Sequence, residues 1–161
     1  MIRRAALALI AVLAVWLAAP SPASATCILC TCTINATDVA FGNFQPLDNA
    51  LKDSTGVVTV TCGPIGVLAD YDVKLTTGGS GAFATRRMVS GANTLSYNLY
   101  TSAARTTIWG DGTGGTGKIS DAWLIILGNT SRSYTIHGRV PATTTAIPGA
   151  YTDTVIARVE F

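Results

Sequence analysis

The chain has 161 residues, of which 48% are apolar, 12% charged and 7% aromatic, and a formal net charge of +2. That length fits one domain, and a charged fraction near half the globular average excludes a disordered tail, a coiled coil and a basic nucleic-acid binder. A single histidine gives no basis for a His-rich metal site.

The first 25 residues read as an address. Arg3 and Arg4 are followed by the unbroken apolar run Ala5–Ala19, a break at Pro20-Ser21-Pro22, and the small-residue cleavage pattern Ala23-Ser24-Ala25. This is the order of a secretory signal peptide. The run falls short of the ~20 residues that span a bilayer, and no later segment approaches that length, so no membrane span is expected in the mature chain. Cleavage after Ala25 leaves a domain over 26–161 with nine basic and nine acidic residues. The mature protein is then neutral, with no electrostatic case for nucleic acid or an anionic membrane.

The cysteines come next. Cys27, Cys30, Cys32 and Cys62 are even in number in an exported chain, so disulfides are the default. Cys62 must pair with one of the N-terminal trio. A Cys32–Cys62 bond would join the first two strands and contribute about 3–4 kcal/mol in the chain-entropy account. Cys27 and Cys30 would then pair locally. A Cys27-x-x-Cys30-x-Cys32 metal site lacks a second ligand cluster, and no metal ligands are expected.

The rest reads as all-β. All 16 glycines fall after the signal, and Thr is abundant. Apolar residues alternate through Val58-Val60-Cys62, through Tyr71-Val73-Leu75 and through Leu95-Tyr97-Leu99. Trp123–Leu127 is a continuous apolar run bounded by Gly128-Asn129 and is expected to be a buried strand. Tyr134, Ile136 and Val140 follow, with Pro141 marking a strand end. The last strand alternates through Asp153, Val155, Ala157, Val159 and Phe161. About seven short strands predict an immunoglobulin-like sandwich. The chain stops in mid-pattern at Phe161. A final strand without a return strand leaves an open edge that another chain could fill, unless Arg158 and Glu160 protect it by charge.

Other motifs carry no chemistry. Gly112–Lys118 resembles a phosphate loop, but Ile119 stands where Ser or Thr is required and no helix is expected to follow. His137 has no nucleophile assigned to it, and Asp70 and Asp72 read as solvated carboxylates. Asn35-Ala36-Thr37 and Asn129-Thr130-Ser131 are short glycosylation-type matches. No catalytic, cofactor-binding or metal-binding residue is assigned, no cofactor is expected, and the chain is not expected to be an enzyme.

Several stretches together resemble the spore coat protein U-like domain, which also builds subunits of archaic chaperone–usher pili. They are Cys32–Thr37 with Val39–Phe44, Val57–Cys62, Arg86-Arg87-Met88, Leu95–Tyr100, Trp109-Gly110-Asp111-Gly112, His137–Pro141 and Gly149–Val155. The resemblance implies an incomplete immunoglobulin-like β-sandwich that lacks its final strand and is complemented by a donor strand. It implies a structural subunit of a surface pilus serving adhesion and biofilm formation. Its partners would be a periplasmic chaperone, an outer-membrane usher and neighbouring pilin subunits. It makes Cys32–Cys62 the family disulfide and places Val155, Ala157, Val159 and Phe161 at the groove or its rim. The alternative is a self-contained secreted coat protein with a closed sandwich that does not polymerise. A polymerising subunit also needs an N-terminal donor segment, and cleavage after Ala25 leaves only Thr26–Thr31, about 20 Å of extended chain. Either cleavage is earlier, or the subunit accepts a strand without donating one.

Overall fold

Period-two alternation of Val, Ile, Tyr and Thr, with almost no helix-forming stretches, builds strands throughout the computed structural model, which describes residues 28–161. The expected signal segment and Cys27 lie outside the described residues. The strands are β1 (Ile28–Ala36), β2 (Lys52–Leu75), β3 (Arg87–Ser90), β4 (Asn93–Ser96), β5 (Asn98–Tyr100), β6 (Ile119–Leu127), β7 (Thr130–Val140) and β8 (Ala157–Glu160). Among the described residues, helix is confined to two 3-10 turns, Pro46–Asp48 and Gly78–Ser80.

The organising element is a long two-stranded ribbon. β2 pairs antiparallel with β7 from Lys52–Val140 to Cys62–Thr130, and the same register continues into β6 from Ile65–Leu127 to Val73–Ile119. The stripes at Val58–Cys62 and Tyr71–Leu75, expected as separate strands, are therefore one strand. Gly63 and Pro64 do not end the ladder, because the Gly128 N–H donates to the Pro64 carbonyl at 2.6 Å. Gly128-Asn129 is correspondingly a joint in the ribbon rather than a turn.

The other edge of β2 carries two strands in line. β1 lies opposite Val58–Val67, and β8 lies opposite Asp72–Leu75. β5 adds to the far side of β7, and β3 with β4 forms a separate hairpin. Leu95, Tyr97 and Leu99 all face inward as expected, but the chain changes sheets at Tyr97: Leu95 belongs to the hairpin and Leu99 to the large sheet. One core receives Val58, Val60, Tyr71, Val73, Leu99, Trp109, Ile126, Ile136 and Val140.

Trp123–Leu127 corrects the expectation of a buried strand. Trp123 and Ile126 are buried, but Leu124, Ile125 and Leu127 are 76%, 67% and 79% exposed. A strand buried on only one face hides only some of its side chains, and continuity of the apolar run could not reveal this.

Cys32 and Cys62 lie opposite each other in the β1–β2 ladder and are joined by a disulfide. Cys30 is also disulfide-bonded. The Cys32–Cys62 bond links residues separated by 30 positions. Replacing both cysteines by alanine is expected to lower unfolding stability by about 3 kcal/mol. Urea denaturation checks this; an unchanged midpoint contradicts it.

Polar groups fasten the ribbon where side chains leave the core. Thr59 and Thr61 hydroxyls bond those of Ser133 and Ser131 at 2.8 and 2.7 Å. The Tyr71 ring stacks on Trp123 at 4.9 Å, and its hydroxyl bonds that of Tyr134, which donates to Asp121 at 2.7 Å. Arg132 pairs with Asp121 and lies over Trp123. Burial disfavours ionisation of Asp121, but the Tyr134 hydroxyl, Arg132 and the Ala122 N–H outweigh it and hold its pKa below the usual carboxylate value. Stability from this group is present above the unfolded-state pKa near 4 and is lost as pH falls through the lower folded value. Asp121→Asn is therefore expected to flatten the acid limb of the stability profile below about pH 4. Thermal melts from neutral pH downward test this; identical acid limbs contradict it.

Candidate functional site

The feature left open by this fold is a groove between two extended segments that belong to no sheet ladder along their facing edges. One wall is 37–46 and the other is 146–157. The floor is apolar, formed by Met88, Leu95, Tyr97, Leu99, Ile136 and Val140. Two adjoining hollows of about 680 and 520 Å³ make up the groove, and they share Val39, Ala40, Phe41, Met88 and Tyr151.

The first wall is held close to the ribbon by glycine. A Cβ on Gly56 would lie 2.8 Å from Val39 Cγ2, and one on Gly138 would lie 2.7 Å from Val39 Cγ1 and 2.9 Å from Phe41 Cζ. Only strands bare at these positions let Val39 and Phe41 cross them. The Thr37 N–H donates to the Val57 carbonyl at 2.9 Å, and the Ser54 hydroxyl donates to the Ala40 carbonyl at 2.6 Å. Phe41 meets the Tyr97 ring edge-on at 6.1 Å.

The second wall is held along one edge only. Thr152 exchanges both main-chain hydrogen bonds with Val89, at 2.9 and 3.0 Å. The Ile156 carbonyl accepts from the Thr76 N–H at 3.0 Å, and the Ile156 N–H donates to the Thr76 hydroxyl at 2.9 Å. Alternation of an extended segment between Thr152 and Ile156 directs the N–H and C=O groups of the intervening Asp153 and Val155 to the opposite edge. Those groups have no hydrogen-bond partner among the described residues, and no main-chain hydrogen bond joins the two walls. One clasp crosses from floor to wall: the Tyr97 hydroxyl donates to Asp153 Oδ2 at 2.6 Å, while Gly79 N–H donates to Oδ1 at 2.8 Å. Burial, and then the Asp153 hydrogen bond, push the Tyr97 pKa up, so the phenol keeps its proton. The lining contains no Lys, Arg or His. An apolar slot between two unsatisfied strand edges can take up an extended chain, with main-chain hydrogen bonds on both sides and alternate side chains pointing down.

The residues named from sequence divide here. Val155 and Ala157 line the groove. Val159 packs on the core opposite Val73, and Phe161, 43% exposed, lines neither hollow. Glu160 is held by Lys74 at 2.6 Å. The opposite wall at Val39, Phe41 and Phe44 is not among the residues expected from sequence, and the alternation Val39-x-Phe41 is the local signal for it.

Residues 19–158 match the family model of the Spore Coat Protein U domain. The chain belongs to that family. Among solved structures, it is similar to a chain in the CsuC–CsuE chaperone–tip adhesion subunit pre-assembly complex from archaic chaperone-usher Csu pili of Acinetobacter baumannii. The identity is 23%, the TM-score 0.53, and the match covers 83% of this chain and 40% of that one. This Spore Coat Protein U domain thus spans less than half of that chain's length, and the likeness bears on fold: an open, immunoglobulin-like sandwich. No curated protein matches the chain.

The other motifs are accounted for locally. The glycine-rich stretch before Lys118 is a surface loop entering β6, with Thr113 N–H and hydroxyl on Asp111 at 2.9 and 2.6 Å. Asp72, expected to be solvated, instead holds Lys118 and the Ser120 hydroxyl, whereas Asp70 is exposed. His137 sits on β7 between Thr55 and Tyr100, with no side-chain hydrogen bond among the described residues. No cluster of three potential metal ligands occurs among the described residues, and no helix there is long and apolar enough to cross a membrane.

Proposed function

We propose that this protein is a structural, non-catalytic pilus subunit that accepts a strand from a periplasmic chaperone and later from a neighbouring subunit at an outer-membrane usher. In this reading residues 1–25 are removed on export, and the mature domain reaches the cell surface to serve adhesion and biofilm formation. The observation that supports it is the apolar groove between two walls whose facing main-chain groups are unpaired. The same observation weighs against a self-contained coat protein, because a closed sandwich would satisfy those edges internally.

The test is co-expression with a periplasmic pilus chaperone. A stable one-to-one complex is expected, with Val155 and Ala157 amides protected from hydrogen exchange. A chain that purifies as a stable folded monomer and takes up neither chaperone nor donor peptide overturns the reading.

A further inference from the structure

A second surface lies away from the groove, around the joint of the ribbon. Ile65, Val67 and Leu68 on β2, with Leu124, Ile125 and Leu127 on β6, are 40–79% exposed. Ile65 stands opposite Leu127 and Val67 opposite Ile125. Leu68 has a φ of 50°, and the inward–outward alternation slips there, so that Gly66 and Ala69 face in while Val67 and Leu68 both face out. β6 shows the same slip, with Trp123 and Ile126 in and Leu124 and Ile125 out. The outer face thus changes from the Thr–Ser pairs beyond Gly63 to six contiguous aliphatic side chains. None lines the groove.

We propose that this patch is a self-association surface, occupied by the same patch of a second copy. The six side chains expose on the order of 600 Å² on each copy, or roughly 1,200 Å² for two, which reaches the lower bound for specific stable interfaces. An isolated exposed apolar area of this size is at the upper limit for a monomer. No charged residue occurs in 63–69 or 122–129, so a copy meets no like charge on the patch. Residues 26–161 carry equal numbers of basic and acidic side chains, so approach is not opposed by net charge. Among the described residues, β6 pairs with β2 alone, so its outer edge adds free main-chain groups to the contact. A two-fold arrangement lets one patch serve both partners.

The test compares three mature chains by sedimentation between about 1 and 100 µM, a range set by the micromolar end of such affinities. The native chain is expected to double its mass with concentration. L124K/L127K is expected to stay monomeric and still bind chaperone. V155D is expected to lose chaperone binding and still dimerise, which separates this surface from the groove. A native chain that remains monomeric overturns the proposal, as does undiminished dimerisation of L124K/L127K. Hydrogen exchange on the native chain gives a second readout free of folding effects: protection over 122–129 should rise with concentration. Protection that appears only on adding phosphatidylcholine vesicles or chaperone assigns the patch to that partner and overturns self-association.

Discussion

Val155→Asp is expected to weaken capture of an extended partner strand about a thousandfold, the ~4 kcal/mol cost of placing an unpaired carboxylate in an apolar slot. Val155 lines the groove and is only half-buried in the free chain, so the substitution costs little before a partner arrives. On capture the carboxylate is covered, and no cation of the lining can pair with it. Ile156→Asp is the matching control. Its side chain is 53% exposed and is absent from the lining. Titration with a labelled apolar β-strand peptide, or with chaperone, measures both. Equal capture by native and V155D chains removes the groove from the mechanism.

Arg86→Met is expected to destabilise the domain by about 3–5 kcal/mol, the range found when one member of a buried charged network is removed. Arg86 is fully buried. Its guanidinium donates to the carbonyls of Thr76 at 2.6 Å and Trp109 at 2.8 Å, and to Asn98 Oδ1 at 3.0 Å. It also lies over the Phe83 ring at 5.3 Å. Trp109 in turn donates its indole N–H to the Val73 carbonyl at 2.9 Å, and Asn98 donates to the Phe83 carbonyl at 2.9 Å. Methionine fills similar space but leaves the Thr76 and Trp109 carbonyls without a donor, while Asn98 Oδ1 keeps only the Leu99 N–H at 2.9 Å. Arg86→Lys is expected to recover little, since one ammonium cannot match a planar fork reaching separate segments. Urea unfolding of the three chains decides this; a loss below about 1 kcal/mol would show the acceptors finding other donors.

Arg86 also shows what the sequence could and could not say. Arg86-Arg87-Met88, Leu95–Tyr100 and Trp109–Gly112 were legible as separate signatures of a resemblance. Their physical link, one guanidinium binding three chain segments, is a long-range contact that no local spacing announces. The strand stripes were readable because inward Val, Tyr and Leu recur at period two. Fusion of two stripes into one strand was not, because Gly63-Pro64 reads locally as a breaker while Gly128 across the ladder keeps the pairing. The groove was half legible. Val155 and Ala157 share one face of the alternating segment that runs into β8, whereas the wall at Val39 and Phe41 depends on the bare backbone of Gly56 and Gly138, far away in sequence.

The ribbon also sets the order of events during folding. Its paired residues are 46 positions apart at Val73–Ile119 and 88 apart at Lys52–Val140, with no tight hairpin joining β2 to β6. Its nucleus must therefore close a long loop before any pair contributes, which places the domain among slow, high-contact-order β proteins. While that search lasts, the uncharged stretch Ala122–Leu127 is available to every other unfolded chain nearby. If the domain is a pilus subunit as proposed, its chaperone would act on kinetics as well as on the open groove, shielding the chain through the interval in which aggregation competes with closure of the ribbon.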